Sequence, residues 1–340
     1  MLFRSVLLSS LPGATDVPVQ AMQTLVSQND KHLIAFGCVP YGSSSIGDFD
    51  PLLIRWANQD DPVNWTPSPT NTAGFIRVSR GSYIVRALPT RQEILVFTNS
   101  NLYSMQFTGT TDVFSLQEMA DNISIMSPRS CATANNVTYW MGQDKFYVYS
   151  GRVETLPCTL RNYVFQDFNY DQAEQVISGT NEGFNEVWWF YCSNGSYVVD
   201  KYVVYNYMEK VWYYGTMGRT AWLDSGILNY PTAATYSNNL VSHENGINDD
   251  ETGTTAAISA YISSSEFDIG DGHNFGFVWR ILPDLTFESS ENSPTGEVPK
   301  VTMELYGMTN SGSGVTSDAS QPVRKGSAYY ITEEFDGQIY

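Results

Sequence analysis

Positive charge is what this 340-residue chain has least of: 18 lysines and arginines stand against 36 aspartates and glutamates, a formal charge of −18. A protein that grips nucleic acid by neutralising phosphates needs the opposite balance, so that class is excluded as the primary function. Charge of either sign is sparse, at 16% of residues, against about 25% in an average globular chain. Histidine is rarer still, at His32, His243 and His273 alone. The four cysteines, Cys38, Cys131, Cys158 and Cys192, form no C-x-x-C pair and have no histidine cluster beside them. Zinc and dithiol redox motifs are thereby removed, and the cysteines read as free, mostly buried thiols. No apolar run approaches the about 18 residues of a membrane-crossing helix. The apolar part of Met1–Ser10 is too short for a signal-peptide core. Phosphate-binding glycine loops, dinucleotide fingerprints and G-x-S-x-G elbows are also missing.

What is present is aromatic: 22 Tyr, 17 Phe and 8 Trp make 14% of the chain, too many for a disordered protein. The length fits two domains or one large all-β domain. Strand signals dominate. Glu93–Thr98 and Leu102–Phe107 flank a short Asn/Ser turn, Val137–Met141 and Phe146–Tyr149 flank Gly142–Asp144, and Glu186–Tyr191 and Tyr202–Tyr205 flank a turn at Ser193–Ser196. His32–Phe36 and Leu52–Trp56 form a fourth pair across a longer Gly/Ser loop. The spacing predicts one short helix, over Val19–Val26, from Met22, Leu25 and Val26.

The first strands of these pairs centre near positions 34, 95, 139 and 188, with Leu240–Val241 a weaker next candidate. Intervals of about 45–60 residues, each holding several short strands, point to β-propeller blades. An ordinary β-sandwich is the alternative. Tyr205–Asn206 followed by Trp212 is similar to the tyrosine and tryptophan placement of kelch-type blades. Composition shifts near residue 244. The expected organisation is therefore propeller blades over 1–243, then an acidic loop and further strands over 244–340 that close the propeller or form an appended β-layer. Those strands are expected at Ala257–Ile262, Phe275–Leu282, Leu285–Phe287 and Val301–Tyr306, separated by loops at Gly296 and Thr309–Ser320. Glu334–Tyr340 reads as a strand beginning after the Asp336-Gly337 turn, an abrupt stop that suggests a longer natural chain.

Chemistry-bearing constellations are thin. His243-Glu244 and Asp268–His273 are the acid–histidine groupings, and neither spacing matches a metal-ligand motif. Glycosidic cleavage needs two flanking carboxylates. Asp60, Asp61, Asp112, Asp121, Asp144 and Glu154 are candidates, with no repeated Asp-box to select a pair. Arg77, Arg80, Arg86 and Arg91 fall within 15 positions and are expected to pair with acids of a neighbouring subunit. Asp249, Asp250 and Glu251 form an acidic loop expected to repel DNA or to hold a hard cation weakly.

Particular strings carry a resemblance. Leu53–Pro67 with Asn71–Gly74, Arg91–Phe97, Asp121–Ile125, Val137–Gly142 with Asp144–Tyr147, Thr180–Phe190, and Asp268–His273 with Phe277–Arg280 are similar to recurring segments of bacteriophage virion proteins. The resemblance spans roughly residues 50–282. In character it extends to the propeller-containing tail tubular, nozzle-type and DNA-stabilisation proteins of short-tailed phages. It implies a non-enzymatic virion tail protein without cofactor, assembling as a homo-oligomeric ring, six-fold, beside other tail or portal-adaptor proteins. DNA would pass through the ring without tight binding, repelled by an acidic lumen. The alternative it leaves open is a peripheral baseplate or host-adsorption propeller that binds glycan or another virion protein.

Overall fold

The computed structural model describes residues 7–258 apart from 28–29, 111, 227, 247, 252 and 254–255. Beyond 258 it describes 260–264, 267–268, 270–271, 282 and 284, the strand 300–306, and the backbone of 330–336. The chain divides into two compact units, residues 1–257 and 258–340.

The first unit is a succession of antiparallel sheets, each made from consecutive strands. The first sheet holds β1 (Ala21–Ser27), β2 (His32–Cys38), β3 (Asp50–Trp56) and β4 (Gly74–Arg77). The second holds β5 (Ile84–Pro89), β6 (Ile94–Thr98), β7 (Leu102–Phe107) and β8 (Phe114–Ala120). The third holds β9 (Cys131–Ala134), β10 (Val137–Met141), β11 (Phe146–Tyr149) and β12 (Val153–Leu156). After one short helix, α1 (Arg161–Gln166), the fourth sheet holds β13 (Ile177–Asn181), β14 (Glu186–Tyr191), β15 (Lys201–Asn206) and β16 (Val211–Thr216). A fifth sheet has three strands, β17 (Ala221–Leu223), β18 (Thr232–Ala234) and β19 (Leu240–Ser242). A two-residue ladder joins β20 (Asn248–Asp249), inside the expected acidic loop, to β21 (Ala256–Ala257). β21 reaches only the first residue of the strand expected at Ala257–Ile262, and positions 258 and 260–262 are not strand. The protein is all-β, as expected. In the second unit β22 (Lys300–Tyr306) pairs antiparallel with β23 (Tyr330–Asp336).

The expected hairpins β2/β3, β6/β7, β10/β11 and β14/β15 are present. They are the middle strands of the four-stranded sheets, so positions 34, 95, 139 and 188 mark second strands. The matching position of the fifth sheet is β18, and Leu240–Val241 belongs to its third strand. The expected helix at Val19–Val26 is instead β1, in which exposure alternates residue by residue through Val26. Gln23 explains why the extended form wins. Its side-chain amide donates to the Ala87 carbonyl at 2.6 Å and accepts the Ala87 amide at 2.8 Å, a clasp onto β5 that an extended β1 places in reach. At the chain end β23 runs to Asp336, and the strand expected after the Asp336-Gly337 turn lies outside the described residues. The strands expected at Phe275–Leu282 and Leu285–Phe287, the loops at Gly296 and Thr309–Ser320, and His273 lie wholly or mainly outside the described residues.

Four core clusters each join one sheet to the next, and a further one (Ala35, Cys38, Leu53, Ala57 and Trp65) belongs to the first sheet alone. Phe36, Ile54 and Trp56 meet Val96, Tyr103 and Phe114 between the first and second sheets. Phe97 and Leu102 meet Trp140 and Tyr147 between the second and third. Met141 and Phe146 meet Trp189, Tyr191 and Val203 between the third and fourth. Trp188 and Phe190 pack on Trp222 of the fifth. The middle sheets are therefore covered on both faces, which is why β6 and β14 read as unbroken apolar runs without alternation. First strands also neighbour first strands: β1 lies against β5, and β13 against both β9 and β17. Gly179 on β13 makes the last approach possible, since a Cβ there would fall 2.1 Å from Trp222 Cδ1. Among the described residues no helix is long and apolar enough to cross a membrane.

Candidate functional site

The structure distributes the four expected arginines. Arg77, at the end of β4, donates from Nε to Asp50 Oδ2 at 2.7 Å and from Nη2 to Oδ1 at 3.4 Å. Burial works upward on the Asp50 carboxyl, but the Arg77 hydrogen bond, the Leu52 amide and the Arg77 charge together hold it below its usual range. Arg80 lies 3.5 Å from Glu118 and 3.9 Å from Asp121. Arg86 sits on β5 beside Cys131 of the third sheet, with Nε buried and unbonded. Arg91 occupies the β5–β6 turn and lines a cleft there. Arg77 and Arg80 thus spend ion pairs on acids of their own chain.

Four of the six carboxylates weighed for sugar cleavage are ion-paired, among them Asp121, which lies 3.9 Å from Arg80. Asp60 pairs with Lys31 at 3.4 Å, Asp144 with Arg161 at 3.0 Å, and Glu154 with Arg152. The cysteines are free thiols, and burial pushes Cys38 and Cys158 up to about 12 and Cys131 and Cys192 up to about 11. Such thiols are poor nucleophiles at neutral pH.

A concentration of polar groups lies at the seam between the fourth and fifth sheets, and it includes His243-Glu244. Glu186 opens the apolar strand β14 and is 8% exposed. Its carboxylate accepts from the Tyr213 hydroxyl, from Trp188 Nε1 at 2.9 Å and from Asn181 Nδ2 at 3.4 Å. Asn181 also donates to Glu244 Oε1 at 3.3 Å, bridging two carboxylates contributed by positions 186 and 244. Burial first, and then the charge of Glu186, raises the Glu244 carboxyl above its ordinary value, against the Asn181 hydrogen bond. The Glu244 backbone is left-handed, at φ 56°, a conformation uncommon outside glycine and asparagine. Burial and then Glu186 push the Tyr213 phenol up, so it stays a donor.

Beside this pair runs a second chain of contacts. Arg219, 5% exposed, donates from Nε to His243 Nε2 at 3.0 Å and from Nη1 to the Gly218 carbonyl at 2.8 Å, and its Nη2 meets Glu251 at 2.9 Å. Accepting at Nε2 makes His243 a neutral imidazole protonated at Nδ1. Burial, and then the Arg219 charge, lowers its pKa to about 4. The Trp222 ring packs on it at 4.7 Å. Of the three acids read as a DNA-facing loop, Glu251 is therefore tied to Arg219, Asp249 accepts the Glu251 amide at 2.9 Å, and Asp250 is exposed. Asp224 completes the seam, accepting from the Thr180 hydroxyl at 2.7 Å and the Glu182 amide at 3.1 Å.

Sequence reasoning found His243-Glu244 and missed Asn181, Glu186 and Arg219, which other segments contribute from 24 to 63 positions away. The one signal in the sequence was a glutamate opening a run of Val, Trp, Trp, Phe and Tyr. Chemically, the arrangement fastens two sheets. Glu186 is saturated by three donors, and Glu251 is paired with Arg219. Among the described residues no three acids, histidines or cysteines converge on a metal-sized space.

No family model matches the chain, and no curated protein matches it. Solved structures are similar at low level. Hsv2 of Kluyvelomyces marxianus aligns over 60% of this chain and 56% of its own, at 10% identity and a TM-score of 0.35. A putative exported protein of Bacteroides fragilis aligns over 63% and 65%, at 9% identity and 0.33. A putative 6-phosphogluconolactonase of Bacteroides uniformis aligns over 69% and 82%, at 9% identity and 0.36. The chain thus spans less than two thirds of the length of the first two.

Proposed function

We propose that this chain is a non-enzymatic structural protein of a bacteriophage tail, a β-propeller that assembles into a closed ring, six-fold, around the DNA path of a nozzle. The observation that carries the reading is the resemblance over residues 50–282. Four of its strings lie within the repeating β-sheets: Leu53–Pro67 runs through β3, Arg91–Phe97 through β6, Val137–Gly142 through β10, and Thr180–Phe190 through β13 and β14. Consecutive sheets whose first strands adjoin are the arrangement of propeller blades. Seams filled with aromatic side chains and closed by buried polar contacts suit a part that carries mechanical load. The formal charge of −18 suits a conduit, because an acidic lumen repels phosphate and lets DNA pass without ion pairs. No cofactor is required, and the place of action is the virion, among other tail or portal-adaptor proteins.

The test is oligomer size and shape. Purified protein examined by light scattering and negative-stain microscopy is expected to form closed rings, six-fold in class averages. Monomers or trimers at every concentration overturn the ring, and trimers point to a peripheral host-adsorption role.

A further inference from the structure

The dipeptide Asn-Gly occurs at Asn194-Gly195 and at Asn245-Gly246. Neither the sheet-fastening contacts nor the ring reading uses these side-chain amides. In such a dipeptide the glycine nitrogen can attack the asparagine side chain, because a residue without Cβ leaves the approach open. The glycine N–H gives up its proton, its nitrogen bonds to asparagine Cγ, and the Cγ–Nδ2 bond breaks with release of ammonia. Water then opens the succinimide ring on either side, leaving aspartate or isoaspartate, and in isoaspartate the main chain is longer by one methylene. Water is the sole co-reactant. The asparagine must first rotate until Cγ faces the next nitrogen, so local freedom sets the rate.

Both sites have the exposure the reaction needs. Both asparagines are exposed, Gly195 and Gly246 have φ of 83° and 96°, and neither would meet an atom within 4 Å of an added Cβ. They differ in what holds them. At the β14–β15 connection the Asn194 amide donates to the Asp167 carbonyl at 2.6 Å, and the Ser196 amide closes the turn onto the Ser193 carbonyl at 2.9 Å. Asp200 accepts from the Ser193 amide at 2.8 Å and from its hydroxyl at 2.6 Å, while Asn169 Nδ2 donates to the Ser196 carbonyl at 2.8 Å. That turn is clamped on both sides. Among the described residues, neither Asn245 nor Gly246 makes a hydrogen bond.

Asn245 also sits where conversion has a consequence. It lies between His243 and Glu251, both held by one side chain: Arg219 Nε donates to His243 Nε2 at 3.0 Å, and its Nη2 meets Glu251 at 2.9 Å. An added methylene between these two ends works against keeping both contacts. The new carboxylate stands next to Glu244, which Asn181 already bridges to Glu186, and like charge beside acids is disruptive. We propose that Asn245 is a site of spontaneous deamidation to isoaspartate and aspartate, and that its conversion loosens the polar seam between the fourth and fifth sheets.

The proposal concerns one loop of one chain and stands apart from ring formation. The test is peptide mapping by mass spectrometry of folded protein aged at neutral pH, with isoaspartate identified by electron-transfer fragmentation. Asn245 is expected to convert at least about tenfold faster than Asn194, and the difference is expected to vanish in urea, where both turns are unfolded. The aged protein is expected to show a lower urea midpoint. Asn245→Gln, an exposed change that keeps the amide but lengthens the ring to be closed, is expected to stop conversion there and to hold the midpoint through ageing. Conversion at Asn194 as fast as at Asn245, or no conversion at Asn245, overturns the proposal. A rate difference that persists in urea takes it out of the fold's hands and overturns it too. A midpoint unchanged once Asn245 has converted, or one that falls equally in Asn245→Gln, overturns the loosening of the seam.

Discussion

Glu186 shows how one buried carboxylate becomes a fastening. Replacing it by alanine leaves the Tyr213 hydroxyl, the Trp188 indole N–H and one arm of Asn181 without their acceptor. Orphaned buried donors cost about 1–3 kcal/mol each, so Glu186→Ala is expected to destabilise the fold by about 3 kcal/mol, read as a lower urea midpoint with unchanged slope. Glu244→Gln removes the repulsion between the two carboxylates while keeping the contact with Asn181, and is expected to be neutral or slightly stabilising. The pair also sets opposite pH dependences. His243 titrates near 6.5 when unfolded and about 4 when folded. Its contribution is therefore present above pH 6.5 and lost as pH falls through about 4. The Glu244 carboxyl is raised, so its contribution is present below its ordinary value and lost as pH rises through the folded one. Urea midpoints from pH 3.5 to 7 are expected to fall steeply at the acid end, and His243→Gln is expected to flatten that limb.

At the scale of strands, the second and third strands of each four-stranded sheet were legible because they are largely buried, which writes runs such as Ile94–Phe97 and Val187–Tyr191 into the sequence. First strands were not. β9 is four small residues, Cys-Ala-Thr-Ala, and β13 contains Gly179 where Trp222 lies flat against the backbone. Crowding against neighbouring first strands removes the large apolar side chains that announce a strand. The β9–β10 hairpin did carry a turn signal, Asn135 and Asn136, both with positive φ at 49° and 62°, as a two-residue primed turn requires. For β1, apolar spacing suggested a helix, while its partners were 64 positions away at Ala87. Removing that clasp with Gln23→Ala is expected to cost about 1–3 kcal/mol and to speed hydrogen exchange at the Ala87 amide. Trp189→Ala, which empties the seam between the third and fourth sheets and strips a donor from the Ser130 carbonyl at 2.9 Å, is expected to cost about 3–5 kcal/mol.

For the molecule as a whole, composition set the class and the structure set the mechanism of its rigidity. The scarcity of positive charge argues against phosphate gripping. Of the arginines that remain, Arg77 and Arg80 pair with acids of their own chain, and Arg55, 1% exposed, is buried against Asp16 and the carbonyls of Val39 and Trp65. Acids outnumber these cations, a surplus that under the proposed function would line the conduit. The seam between the fourth and fifth sheets stayed hidden because its members come from separate segments, joined only once β13, β14 and the chain after β19 are folded together. The most direct test is electron cryomicroscopy of the virion that carries this chain. The account predicts a closed, six-fold ring of it on the tail axis, with acidic side chains facing the DNA path. Copies placed away from that axis, or a lumen lined by arginine and lysine, contradict it.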